Sequence, residues 1–551
     1  MSEEDKFQNL AQEYFSWVYQ NYPVLATNLG IHRFDDRLTD FSHQAIKTRL
    51  SKTKDFLADF KKIKSLSLSL SSANDLLVLK NDLVWEILSE EKIKYWQKAP
   101  SIYSDETIWG LYFLINRSFA PRQRRAQNLL KRLRVAPEVL RDGQKNLVKP
   151  CLLWVEIAID SVKGGIIFLE SQVAQFARET KDLSLQKEIL IANEKAIKAM
   201  KKYLVFLEKI KAKSGKEFAL GRSLFEEKLR LVQMIDWPAD ELLKIGGDVF
   251  TKTEKKMAVL AKSLCPGSSW WGVIKELKKD HPAKRALLVS YRREVKNLKK
   301  FLKEKDIVDF PKEEKLTVMA TPESEQATIP FAAYLPPAPF EKNQTGQFWV
   351  TPINCQKTSV QQESQLQEHA SDHFPIAVIH ESYPGHHLQL CFANQNSSFV
   401  RKHLHNTPYV EGWALYCEQL MVEAGYLKKP EQQLFQLKDQ LWRAARVILD
   451  VSLHTKKMTF DQAVDFLVRK VHLERGSAIA EVKRYTLAPT YQLSYMMGKL
   501  QILALRAKVK IALGKKFSLI EFHRLFLNTG SIPVKLAGKE ILTLAKQEQN
   551  S

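Results

Sequence analysis

The 551-residue sequence has little of what staples or punctuates a chain. Its five cysteines, Cys151, Cys265, Cys355, Cys391 and Cys417, stand far apart without a CxxC pair, which excludes a disulfide scaffold. Glycine and proline together number only 41, and helix-ending positions such as Pro311, Gly425 with Pro430, and Gly514 are well separated. No apolar run is clean enough to span a bilayer: the best candidate, residues 151–170, is broken by Glu156, Asp160 and Lys163. The opening MSEEDKFQNL lacks the basic start and apolar run of a secretory signal, so the expected location is the cytoplasm. Neither a GxSxG elbow nor a GxxxxGK[ST] phosphate loop occurs.

What is present is the composition of a folded protein, with 45% hydrophobic and 26% charged residues and a formal net charge of +22. The positive excess is spread along the chain, and Lys-rich stretches have apolar residues interleaved at helical spacing. Leu190, Ile197, Met200, Leu204 and Leu207, for example, alternate with Lys195, Lys198, Lys201 and Lys202, the pattern of an amphipathic helix. The same holds for the densest arginine cluster, Arg122, Arg124, Arg125, Arg132 and Arg134, where packing is favoured over phosphate binding. No specific nucleic-acid partner is expected; oligomeric state is not encoded.

The expected fold is mainly α. One region breaks the helical rhythm: residues 315–354 carry four prolines between 330 and 339 and β-prone pieces at 316–319 and 347–351, which read as a small sheet with an irregular loop. The chain divides on this reading into an N-terminal helical half, 1–310, and a chemistry-bearing half, 311–551.

That second half contains FPIAVIHESYPGHHLQL at 374–390. In an HExxH helix two imidazoles one turn apart reach one Zn²⁺, and the Glu takes a proton from the metal-bound water. Here the i+4 position after His380 is Pro384, but removing Pro384 and Gly385 restores HESYH. The sequence therefore reads as that motif with a two-residue insertion that kinks or bulges the helix. His380 is the first ligand, Glu381 the general base and His386 the favoured second ligand; His387 is the alternative ligand or a substrate-binding group. Downstream, YVEGWALYCEQL at 409–420 offers Glu411 as third ligand and Glu418, two turns on and on the same face, as a partner for a ligating His. A competing pair, His369 and His373 at i, i+4 spacing, has no Glu after the first His and no apolar helix leading into it.

These blocks resemble the bacterial domain of unknown function family 885, which is grouped with the gluzincin-type zinc metallopeptidases. HESYPGHHLQ and EGWALYCEQL look like its hallmark blocks, and YPVLATNLGIHRFDDRLTDFS at 22–42, residues 448–467, 481–506 and 522–534 extend the likeness over nearly the whole chain. The resemblance implies a zincin-like catalytic core with a substrate cleft and supports Glu411 as third ligand. It also implies Tyr495 as oxyanion donor with Tyr491 as rival, and Arg484 or Arg506 as the group meeting a substrate carboxylate. His454 stands as either an orienting group or a core histidine.

The expected activity is that of a zinc-dependent peptidase with one Zn²⁺ per chain acting on short peptides. The alternatives are a non-peptidase amide or ester hydrolase, and an inactive zincin-like protein that binds anionic partners through its basic surface.

Overall fold

The computed structural model describes residues 1–322, 326, 329 and 331–550, the side chains of 548–550 excepted. Part of the irregular loop of the sequence reading, including Pro330, lies outside them. The described chain is predominantly helical, with one three-stranded sheet. It forms two compact units, Met1–Phe218 with Phe340–Asn343, and Ala219–Pro339 with Gln344–Ser551. The expected division at 310 therefore shifts by about ninety residues. The cause is packing: helix Ala239–Leu264 lies against helix Pro430–His454, and its apolar face is indistinguishable by sequence from those that precede it.

In the first unit, the Asp182 side chain accepts from the Leu185 N–H at 3.0 Å and starts the helix Leu183–Lys211. Its buried stripe is Leu185, Ile189, Ala192, Ala196, Met200, Tyr203 and Leu207. Leu190, Ile197 and Leu204 of the expected stripe are only half-buried, because alanines let the neighbouring helix Arg122–Asn146 approach on the adjacent face. The arginine cluster of that neighbour is structural at its centre. Arg132 is fully buried and donates to the carbonyls of Arg37 and Gly110 and to Thr27 Oγ1, and Arg125 donates to the carbonyls of Leu114, Ile115 and Ala120. Among the described residues, no helix is long and apolar enough to cross a membrane.

The second unit holds the sheet. Strands β1 (Lys315–Ala320), β2 (Ala332–Leu335) and β3 (Thr345–Val350) are ordered β1-β3-β2, with β1 parallel and β2 antiparallel to β3. Val318 and Tyr334 both pair with Phe348 at the centre. The sequence reading places β1 and β3 but not β2, which is four residues long and ends against Pro336-Pro337, where proline signals suppress the strand pattern. Helices Leu287–Glu304 and Phe374–Glu381 pack on this sheet and on each other, bringing the HES segment to its face.

Candidate metal centre

The helix Phe374–Glu381 starts with Pro375 in its first turn, where no N–H is needed. It buries Phe374, Ile376, Val378 and Ile379 and stops at Glu381. The chain then turns through Ser382–Gly385, with a cis Tyr383–Pro384 bond, and a new helix, His386–Gln395, begins. The Pro-Gly insertion thus does not bulge a continuous helix, as the sequence suggests; it separates two helices. Gly385 is required for space: a Cβ there would lie 2.0 Å from the His380 carbonyl oxygen and 2.3 Å from that of Ile379. The Gly385 N–H donates to the Ile379 carbonyl, and the Trp413 indole donates to the Pro384 carbonyl at 2.8 Å, so the turn is pinned from both sides.

This turn brings the His380 and His386 rings to 4.7 Å between centroids, mutually perpendicular. Glu411 enters from helix Thr407–Glu423, which Asn406 caps by accepting from the Tyr409 N–H. His380, His386 and Glu411 each contribute one ligand atom to a set whose members all lie within 4.8 Å of one another. Glu411 Oε2 is 3.3 Å from His386 Nε2 and 3.9 Å from His380 Nε2, and although buried it has no hydrogen bond aligned on it among the described residues. Its other oxygen accepts from the Tyr491 hydroxyl at 2.6 Å. Burial pushes the Glu411 carboxyl up, but the His386 and His380 charges and the Tyr491 hydroxyl outweigh it and hold it down at about 2. Burial pulls His386 down, and Glu411 more than reverses this.

His380 Nδ1 lies 2.8 Å from Glu418 Oε1, with Glu418 itself buried. A carboxylate acceptor there keeps the proton on Nδ1 and leaves the Nε2 lone pair facing Glu411 and His386. Two imidazole nitrogens and one carboxylate oxygen converging with no aligned hydrogen bond joining them fit a single divalent cation, with the two-His, one-Glu donor set that suits zinc. Glu381 is half-buried and makes no hydrogen bond to any described residue.

The remaining expected residues separate. His387 is fully buried and turned away from the cluster: its Nε2 donates to Glu314 at 2.9 Å and its Nδ1 accepts from the Tyr334 hydroxyl at 3.0 Å. With both ring nitrogens engaged it is neither the second ligand nor a substrate-binding group. It belongs to a buttress behind the turn in which Glu314 also accepts from Tyr383 at 2.6 Å and pairs with Lys299. Against burial, which raises it, the His387, Lys299 and Tyr383 hydrogen bonds hold the Glu314 carboxyl at about 2. The sequence reading misses Glu314, Lys299 and Tyr334. Glu314 sits in the charge run KEEK, which carries no signal separating it from solvated neighbours.

Tyr495 is on the helix Ser494–Leu513, its ring stacked 6.3 Å from that of His380. Tyr491 holds Glu411, as described, and lies in the preceding turn. That turn is shaped by Asp450, which accepts from the N–H groups of Thr490 and Leu493 at 3.1 Å each, with Thr490 in the left-handed region at φ 68°. The helices carrying Glu411 and Tyr495 cross in backbone contact: a Cβ on Gly412 would lie 2.5 Å from Gly498 Cα, and one on Gly498 would lie 1.8 Å from the Pro408 carbonyl oxygen.

Arg506 is engaged by Tyr416 and Glu423, on the side of the helix that packs against His523 rather than the side bearing Glu411 and Glu418. Arg484 is 45% exposed and donates to both oxygens of Glu481. Neither expected arginine faces the cluster; the one against Tyr495 is Arg446, with its guanidinium carbon 5.0 Å from the ring centroid. His454 is a core histidine: its Nε2 meets the Tyr485 carbonyl at 3.1 Å and burial pushes it down to about 4. The competing pair is taken up elsewhere, His369 by Tyr291 at 2.9 Å and His373 by Asp439 at 3.0 Å.

No curated protein matches this sequence. Two solved structures share the fold over nearly their whole length. One is described as "a putative lipoprotein of unknown function from Shewanella oneidensis", with 26% identity, a TM-score of 0.83, and coverage of 97% of this chain and 99% of that one. The other is described as "the putative lipoprotein from Colwellia psychrerythraea", with 18% identity, a TM-score of 0.84, and coverage of 99% and 100%. The family described as "Bacterial protein of unknown function (DUF885)" matches residues 23–541, and the chain belongs to that family.

Proposed function

We propose that this protein is a zinc-dependent hydrolase with a zincin-like core, a peptidase acting on short peptides, in which His380, His386 and Glu411 hold one Zn²⁺. The observation that carries the reading is Glu411 Oε2, buried beside two imidazole Nε2 atoms and without an aligned hydrogen bond among the described residues, while Glu418 orients His380 from behind. Zinc in such a site supplies a bound water of near-neutral pKa and polarises the acyl carbonyl.

The chain's own residues supply the remaining functions. Glu381 follows His380 directly and has no hydrogen-bond partner among the described residues, so its carboxylate is free to take a proton from water and return it to the leaving amine. Tyr491 is occupied in fixing Glu411. Tyr495, stacked beside His380, is the donor assigned to the developing oxyanion. His387, Glu314 and Tyr383 hold the turn that sets the His380–His386 separation.

Zinc content of protein purified without chelator tests the site. About one zinc per chain, lost in His380→Ala, is expected; no zinc in wild type, even after Zn²⁺ is added, refutes the reading. Glu381→Gln is expected to keep the zinc and lose peptide hydrolysis. A panel of peptides, amides and esters separates the peptidase from other hydrolases. The cytoplasmic location is likewise a proposal, tested by cell fractionation.

A further inference from the structure

The helices Ser494–Leu513 and Val534–Asn550 pack against each other within the second unit, yet a groove of about 510 Å³ runs between them. Its walls follow the three- and four-residue spacing of one face on each helix, from Leu500 to Lys508 and from Val534 to Leu542. Ala504 and Gly538 stand in the middle of these rows and supply no bulk. A Cβ on Gly538 would lie 3.1 Å from Leu505 Cδ1, so the bare glycine sets how near the two helices come. Nine residues of each helix border the groove, which at a rise of about 1.5 Å per residue makes it ~12 Å long. Trp237, 39% exposed, borders it from the segment that precedes helix Ala239–Leu264.

The lining is apolar at its centre and positive at its edge. Leu500, Leu505, Val534 and Leu542 supply apolar surface, whereas Lys508, Lys535 and Lys539 are exposed around it with a single carboxylate, Asp236. Lys535 pairs with Asp236. Lys508 and Lys539 make no ion pair or side-chain hydrogen bond with any described residue. Gln501 adds an amide whose buried Oε1 has no hydrogen-bond partner among the described residues. Apolar surface beside two uncompensated ammonium groups is complementary to a ligand with an apolar body and an anionic head.

Size and charge select among such ligands. A stable protein partner buries about 800 Å² on each side, and a groove little more than two helical turns long offers only a small part of this. A second copy is opposed by the net charge of +22, since a self-complementary contact sets these lysines against their own copies. A volume of about 510 Å³ is that of a small-molecule site. With C–C bonds of about 1.5 Å, an extended acyl chain of about ten carbons spans ~12 Å. We propose that the groove binds a free single-chain fatty acid of about ten carbons, its tail along the two helices and its carboxylate on Lys508 and Lys539. No residue of the metal centre lines the groove, so this binding does not depend on the hydrolase reading.

Calorimetry on the full chain with decanoate, kept below its micelle concentration, is the test. One decanoate per chain is expected, bound at least about fivefold tighter than decyltrimethylammonium, which has the same tail and the opposite charge. Shortening the acid to octanoate is expected to weaken binding about four- to fifteenfold, the effect of two methylenes partly or fully buried. Lys508→Gln combined with Lys539→Gln, both at exposed positions, should abolish the preference for the anion and keep the dependence on chain length. Lys198→Gln with Lys202→Gln, exposed in the first unit, removes the same charge and should leave both. Ala504→Trp, at an exposed position on the groove wall, should abolish binding, with melting confirming the fold. Acid and ammonium bound alike, octanoate bound as well as decanoate, several decanoates per chain, or no saturable binding overturns the proposal, and these outcomes need no variant to fold. Retention on vesicles of phosphatidylcholine and phosphatidylglycerol without binding of the monomer also overturns it, and gives the groove to a membrane surface instead.

Discussion

Replacing Asp450 by Asn should change stability in a pH-dependent way whose sign follows from the fold. Asp450 is fully buried and its carboxylate organises the turn that delivers Tyr491 to Glu411. Burial pushes its carboxyl from the ordinary 3.8 up to about 7, against the opposing effects of the Leu493 and Thr490 N–H groups and of Lys228. Between these two values the native state holds a proton that the unfolded chain has released, so native stability falls as pH rises from about 4 to about 7. Each pKa unit is worth about 1.4 kcal/mol, which sets an upper bound near 4 kcal/mol. The neighbouring groups modify this. Lys228, which burial pulls down to about 8, compensates the ionised carboxylate while charged, and His454, 3.8 Å away, is neutral over this range. A span of about 2–4 kcal/mol is therefore expected. In Asp450→Asn the amide oxygen keeps one of the two N–H bonds and the amide NH2 faces the other, a loss that does not depend on pH, and all other ionisable groups are common to both proteins. Urea unfolding at half-unit steps from pH 4 to 8 should show the variant gaining on wild type throughout. A wild-type–variant difference constant to within about 0.5 kcal/mol over that range refutes the reasoning.

Other expectations concern the centre directly. Glu418→Gln should weaken zinc about 10- to 100-fold in chelator competition, because the His380 tautomer is no longer imposed by a carboxylate; unchanged affinity shows that Glu418 does not orient the ligand. Gly385→Ala drives a methyl into two carbonyl oxygens and should destabilise the second unit by about 3 kcal/mol or more and abolish metal uptake, read by melting and metal analysis. Tyr491→Phe removes one hydrogen bond to a ligand carboxylate and should cost about 1.5–3 kcal/mol of zinc affinity, measured by the same competition.

The parts of the molecule legible in the sequence are those written in one short segment. The helical class, strands β1 and β3, and the grouping of His380, His386 and Glu411 follow from local periodicity and spacing, since 380–386 is one turn of chain and Glu411 opens the next long helix but one. What was not legible depends on contacts distant in sequence. Adjacent histidines 386 and 387 have opposite environments, and only Glu314 and Tyr334, more than fifty residues upstream, distinguish them. The choice among Arg446, Arg484 and Arg506 likewise depends on which helix face meets Tyr495, which no single-helix pattern records. The unit boundary escapes the sequence for the same reason: residues 219–304 bear amphipathic faces like any others, and their partners lie far along the chain, helix Pro430–His454 for Ala239–Leu264 and helix Phe374–Glu381 for Leu287–Glu304.

The contact between Gly412 and Gly498 has a mechanical consequence. Glu411 is one residue from the first glycine and Tyr495 three from the second, so both are referenced to a junction of main chain on main chain, with no layer of side chains between. Side-chain layers are the compliant part of a protein interior, able to hop rotamers and absorb volume changes, while backbone in contact is not. Positional error in the core therefore does not accumulate between these two groups. Pressure, warming or volume-altering substitutions in the surrounding layers should shift the rest of the unit more than the spacing between the Glu411 and Tyr495 backbones.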